Sequence, residues 1–233
     1  MAWSPNTWKT RYTLNYKGLS YRTEWVEYPD IEALCKKIGA PPTEKKPDGR
    51  EHYTLPVIHD PRTKAVVAGS VEIANYLEAT YPATPTLFPE GTRALQHGFY
   101  MLVRPTILSP ILNIVIAPVW QLLNPRSQEY FRETREVAFG KKLEEIASAD
   151  DWAALEDGLQ RVKECLDANG EGKNLLLMGD RICWADIQLA SVLIWLRVAV
   201  GEESEDWKRL LGLHDGRWAQ FMAQFKKYEH VDI

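Results

Sequence analysis

Ser4 is the first residue whose type and place suit chemistry, because it stands directly before Pro5. A hydroxyl residue followed by proline marks a helix start: the side chain can accept from free backbone N–H groups, and the ring's missing N–H costs nothing there. Trp8, Tyr12, Leu14 and Tyr16 then supply an apolar stripe, and Gly18 stops the helix after Lys17. The Ser4 hydroxyl therefore meets unpaired N–H groups and the positive end of the helix dipole. Two uses are open to it: capping its own helix, or donating to an anion held at that end. Asn6, in the same turn, either orients such an anion or simply satisfies the turn.

Ser70, after Gly69, opens a second helix, and a carboxylate placed there gains the same N–H groups and dipole; a plain cap is the other reading. Pro56 enters a strand and on composition alone is an edge-strand proline. His52, with Lys45 and Lys46, lies in or beside an exposed charged loop. His59, His97, His214 and His230 have no metal-ligand spacing and read as structural. Cys35, Cys165 and Cys183 are odd in number and also lack such spacing, which predicts a reducing, cytoplasmic setting and no metal. A net charge of -4 argues against nucleic acid as a partner. No signal peptide opens the chain, and the most apolar run, Ile107 to Leu123, contains Pro110, Asn113 and Pro118, so no membrane span is expected.

These residues need elements to position them. After the first helix, Tyr21 to Tyr28 alternates and reads as a strand, Asp30 to Lys37 as a short helix ending at Gly39, and Pro41 to Arg50 as an exposed loop. Tyr53 to Asp60 and Ala65 to Val67 read as strands, and Val71 to Thr80 as a helix. Three prolines between Tyr81 and Gly91 (Pro82, Pro85 and Pro89) mark a boundary. Beyond it the pattern is helical: Thr92 to Leu123 bent near Pro105, Pro110 and Pro118, then Arg126 to Ala147, Asp151 to Asn169, Trp184 to Val200, Glu205 to Leu211 and Gly216 to Lys227. Trp184 to Val200 is apolar on nearly all sides, as a helix in the centre of a bundle would be. The fold class is α/β followed by all-α, with domains at 1–88 and 89–233.

Ser4-Pro5…Arg11…Lys17-Gly18, Thr54-Leu55-Pro56-Val57-Ile58, Gly69-Ser70 through Glu78, and Gly179-Asp180-Arg181-Ile182-Cys183-Trp184-Ala185-Asp186, in this order, resemble the glutathione transferase superfamily. Trp3 to Arg11 with Trp25 to Ile31 is similar to its fungal etherase-related class, whose members use serine and often carry ligands. The resemblance implies a thioredoxin-like first domain, an all-helical second domain that supplies a hydrophobic pocket, and a homodimer. It implies Ser4 as the group that stabilises the glutathione thiolate, with Asn6 beside it. It assigns glutathione binding to His52, Leu55, Pro56, Val57, Gly69 and Ser70, with Pro56 in a cis peptide. An aromatic electrophile would sit among Trp3, Trp8, Phe99, Tyr100, Leu102, Val103 and Ile107. Lowering a thiol pKa from about 8.5 to about 6.5 takes roughly 2.7 kcal/mol. One hydroxyl hydrogen bond, at about 1.5–3 kcal/mol, plus the helix end is sufficient. The function implied is conjugation of glutathione to hydrophobic aromatic electrophiles; alternatives are a ligandin for phenolic compounds and glutathione-dependent aryl-ether cleavage. Three departures stand out: no segment for the family's first strand precedes Trp3, Gly69 stands where an acid is usual, and Cys183 replaces a hydroxyl cap.

Overall fold

The computed structural model describes residues 2–232. In chain order it contains α1 (Pro5–Lys17), α2 (Ile31–Ile38), β1 (Glu44–Lys45), β2 (Glu51–His52), β3 (Val57–Asp60), β4 (Ala65–Ala68) and α3 (Ser70–Thr80). The helical part follows as α4 (Arg93–Val103), α5 (Ser109–Gln121), α6 (Pro125–Phe139), α7 (Ala149–Asp167), α8 (Trp184–Val200) and α9 (Glu205–Ala223).

α1 ends as its sequence requires, with Gly18 in the left-handed region (φ 65°) and its N–H on the carbonyls of Leu14 and Asn15. It buries more than the expected stripe. Lys9, Thr10, Arg11, Thr13, Asn15 and Lys17 are as covered as Trp8 and Tyr12, because α1 is wedged between α3, α8 and the turn Lys226–Tyr228. Most of these polar groups find partners: Asn15 Nδ2 donates to the carbonyls of Tyr228 (2.6 Å) and His230 (2.9 Å), and Lys17 Nζ meets Glu78 at 2.9 Å. Arg197 grips Glu229 at 2.8 Å, so the C-terminal segment is strapped across α1.

The thioredoxin-like part carries two antiparallel two-stranded sheets, β1 with β2 and β3 with β4. Val57 faces Ala68 and Asp60 faces Ala65. The strand expected at Tyr21–Tyr28 joins no ladder among the described residues and gives way to a 3-10 turn at Tyr28–Asp30. A strand exists only through its neighbour; this segment's contacts include the C-terminal strap, with Tyr21 Oη donating to the His230 carbonyl and Thr23 N to Asp232 Oδ1. The expected loop Pro41–Arg50 instead contains half of the β1–β2 hairpin. Asp60 ties this part together: its carboxylate accepts from the hydroxyls of Tyr76 on α3 and Tyr81 just beyond it (2.6 Å each) and from the Arg62 N–H at 2.9 Å.

Residues 93–121 form one rod in which α4 and α5 are joined by a π-helical turn, Arg104–Leu108. The long helix expected over Thr92 to Leu123 is present as this rod, with the three prolines placed along it. Pro105 is absorbed by the wider π turn, Pro110 lies in the first turn of α5, and Pro118 is carried inside the helix. The rod is long and apolar enough by composition to cross a membrane, yet Phe99, Val103, Ile107, Ile111, Val115 and Val119 pack into the core beside α7 and α8. Gly158 on α7 makes the closest approach possible, since a Cβ there would run into the Thr106 backbone of the π turn. α6 stops at Gly140 (φ 65°) rather than running to Ala147. α8 is buried from Trp184 to Leu196, as its all-round apolar surface requires. α9 is broken by left-handed residues at His214–Gly216, which leaves the two short helices expected.

Candidate functional site

The amino end of α1 is built by Ser4 and Pro5. Ser4 is half-buried, and its carbonyl accepts from Trp8 N (3.0 Å) and Thr7 Oγ1 (2.9 Å). Its side chain makes no capping hydrogen bond among the described residues. Of the two uses open to this hydroxyl, the helix does not consume it for capping. Thr7, the other hydroxyl in that turn, is occupied with the Ser4 carbonyl. Asn6 is exposed, and its Oδ1 accepts from Lys9 Nζ at 3.0 Å.

A second group assembles around Pro56. The Leu55–Pro56 peptide is cis. Gly69 N donates to the Pro56 carbonyl at 3.0 Å, and Val57 pairs with Ala68, so Pro56, Val57, Gly69 and Ser70 meet where β3 begins and α3 starts. Gly69 has φ 92°, a conformation that favours glycine, and the Glu72 carboxylate end folded against it could swing aside from a Cβ. His52 lies apart, on β2, with Nδ1 3.1 Å from Glu44 Oε1. Its hairpin is tethered to the Pro56 group through Thr43 and Thr54, whose hydroxyls lie 2.7 Å apart. Lys46 is engaged with Glu32 at 3.3 Å.

Part of the expected pocket wall lies in the core. Phe99, Val103 and Ile107 repeat at the spacing that puts them one above another on a helix, and that face is turned to the core: none is more than 4% exposed. Trp8 is also core, its Nε1 donating to the Ala2 carbonyl at 3.0 Å and its ring 5.1 Å from Tyr12. Leu102 and Trp3 stay half-buried. Trp3, next to Ser4, packs on Tyr28 (6.2 Å) and meets the edge of Phe131 (6.4 Å), and Tyr28 stacks on Tyr130 at 5.8 Å. Tyr28 and Tyr130 are also half-buried, so an aromatic shelf adjoins Ser4. Burial pushes the Tyr28 phenol up to about 12, with Arg135 opposing the shift. Glu27 fastens the shelf by accepting from Asn124 and Ser127, at the start of α6. Two open hollows, of about 480 and 670 Å³, lie against α7 and α9 and against the far end of α1; none of the expected pocket residues lines them.

Sequence reasoning passed over Gln96 and Lys9, and quoted Asp186 only as part of the motif that opens α8. Gln96, buried on α4, donates to the Leu87 carbonyl (3.2 Å) and accepts from Ala185 N (3.0 Å), clasping the segment between the domains to α8. Asp186 accepts from the backbone N–H groups of Leu177 (2.8 Å) and Cys183 (2.9 Å); burial lifts its pKa to about 6 against those donors. Lys9 is 5% exposed, and burial brings its pKa down to about 8. A buried glutamine or lysine on an amphipathic helix leaves no periodic signal, so only packing reveals them.

Comparison with known proteins decides the family. Residues 3–80 match the glutathione S-transferase N-terminal domain and residues 94–228 the glutathione S-transferase C-terminal domain. The chain belongs to the glutathione S-transferase family. The glutathione transferase GSTFuA3 from Phanerochaete chrysosporium is 73% identical with a TM-score of 0.98, covering 100% of this chain and 93% of its own. CsGST63524 of Ceriporiopsis subvermispora, solved in complex with glutathione, is 46% identical with a TM-score of 0.93 over 99% of this chain and 92% of its own. The glutathione S-transferase-like protein ustS of Aspergillus flavus is 33% identical over 232 residues, 93% of this chain and 81% of its own length. This transferase thus joins a thioredoxin-like domain to a helical one, and the elements that carry Ser4, Pro56 and Ser70 are those of its family fold.

Proposed function

We propose that this transferase conjugates glutathione to hydrophobic aromatic electrophiles, with the Ser4 hydroxyl donating to the glutathione sulfur as it becomes a thiolate. The observation that carries the reading is the Ser4 side chain, half-buried at the positive end of α1 and free of any capping bond. The cis Leu55–Pro56 peptide with Val57 supplies main-chain groups for the peptide part of glutathione, and Ser70 with the α3 amino end receives a carboxylate. The chain divides at 88/89 into a glutathione-binding domain and a helical domain. The aromatic partner stacks on Trp3, Tyr28 and Tyr130, since flat π-systems pack on exposed rings. Homodimerisation fits the apolar side chains of Val71, Leu95 and Met101, which α3 and α4 leave exposed.

The chemistry needs no metal: the thiolate attacks, the leaving group departs with its electrons, and the thiol proton passes to solvent. Removing the hydroxyl takes away one charge-assisted hydrogen bond. Ser4→Ala should therefore raise the pKa of bound glutathione by about 1–2 units and cut conjugation near pH 6.5 by about 5–50-fold. Activity within a factor of two of the wild type would rule the role out. A ligandin is the second reading, favoured by Gly69 in place of an acid that would hold the glutathione amine. Calorimetry separates the two, since a carrier would take up a phenolic dye and ignore glutathione.

A further inference from the structure

Among the described residues three well-buried cations each pair with a carboxylate: Lys17 has Glu78 (2.9 Å), Arg197 has Glu229 (2.8 Å) and Arg217 has Asp167 (2.6 Å). Arg11, also buried, donates to Tyr21 and Thr23 and pulls on the Asp232 charge. Lys9 has neither. At 5% exposure, its one hydrogen-bond partner among the described residues is the neutral Asn6 Oδ1, at 3.0 Å. Its Nζ lies 5.6 Å from the Tyr100 ring centroid on α4. Burying an ammonium without a counter-charge is costly, and one amide oxygen with one ring face offsets little of it.

The position is as informative as the missing partner. Helical side chains lean toward the amino end of their helix, so the Lys9 ammonium reaches back one turn to Asn6 and toward the end where Ser4 sits. Asn6 is exposed and Tyr100 half-buried, so the charge lies just beneath the surface at the seam between α1 and α4. Ammonium and helix dipole together make that seam an anion-attracting locus, and its outer wall belongs to the helical domain rather than to the Pro56 group.

We infer that Lys9 is a specificity residue for the second ligand: the aromatic compounds this protein prefers carry an acidic group, a carboxylate or acidic phenol, that pairs with the Lys9 ammonium between Asn6 and Tyr100. The inference rests on the conjugation reading for its location, and it adds the chemical class of the electrophile. An anion there would offset the burial that brings the Lys9 pKa down to about 8.

The test uses the whole protein and two matched pairs: benzoate against benzamide for binding by calorimetry, and 4-(chloromethyl)benzoate against its amide for glutathione-dependent turnover. Wild type should favour the acid of each pair by about tenfold or more, as a charge-assisted hydrogen bond would give. Lys9→Met should bring the acid-to-amide ratio to about one, and Lys9→Arg should restore part of it. Lys9→Met should also melt no lower than wild type, because it removes a buried charge without stranding a partner. An equal ratio in wild type and Lys9→Met, or no acid preference in wild type, overturns the inference. So does an equal loss on acid and amide with weakened glutathione binding, which would assign Lys9 to the thiolate. Wild type that conjugates the amide but shows no acid preference fails this inference alone. Wild type without any glutathione-dependent turnover fails the conjugation reading, and the benzoate–benzamide pair still decides this one.

Discussion

Replacing Asp60 with asparagine tests how the candidate glutathione-binding elements are held. The Asp60 carboxylate ends β3, is 7% exposed, and collects the Tyr76 and Tyr81 hydroxyls with the Arg62 N–H. Burial works to raise its pKa, but the donors win and hold it at about 2, against an ordinary 3.8. That difference corresponds to about 2.5 kcal/mol of folding stability. The folded value is depressed, so the contribution is fully present above the unfolded pKa and fades as pH falls from about 4 through about 2. Asp60→Asn forfeits the charge and turns an amide N–H toward hydroxyl donors. At pH 7 it should cost about 2.5 kcal/mol, or about 5–10 °C in melting temperature for a chain of this size. Urea titrations of both proteins at pH 7, 4 and 2.5 read the difference directly, and other titrating carboxylates cancel in the subtraction. The gap should be widest at pH 7 and close to less than half by pH 2.5. A gap that stays constant across that range would show that Asp60 acts through shape rather than charge, and the argument would fail.

Two further substitutions probe the joints of the fold. Lys17→Met strands Glu78, which still receives the Leu87 N–H at 3.1 Å, and should cost about 3 kcal/mol in denaturation; a loss under about 1 kcal/mol would mean that the backbone donors suffice. Gly158→Ala should destabilise by about 2 kcal/mol although alanine is the better helix former, because the new Cβ meets the Thr106 carbonyl of the π turn. A stabilised variant, measured the same way, would show that α7 can slide away from the rod.

Much of this transferase was legible from residue order alone. Pro5 and Gly18 delimit α1 through backbone geometry that depends on near neighbours only, and the all-round apolar surface of Trp184–Val200 demanded a central helix. The cis proline came from the resemblance and the Gly69–Ser70 helix start from the residues, and the structure places them together at one end of β3. What periodicity could not say was which apolar face was core and which was pocket. Phe99, Val103 and Ile107 satisfy both descriptions, and only the positions of α7 and α8 decide for the core. Tyr21–Glu27 has the alternation of a strand, but pairing depends on a neighbour that local sequence does not contain. The prolines announced a long helix with bends, but not that Pro105 would fall in a π turn packed against α7. Lys9 and Gln96 look like ordinary surface residues of amphipathic helices, and burial by segments far away in the chain turned one into an unpaired charge and the other into a clasp. Sequence determined where helices start and stop, because those signals are local. Tertiary structure alone decided what each helix face meets, because solvation and pairing are set by groups distant in sequence.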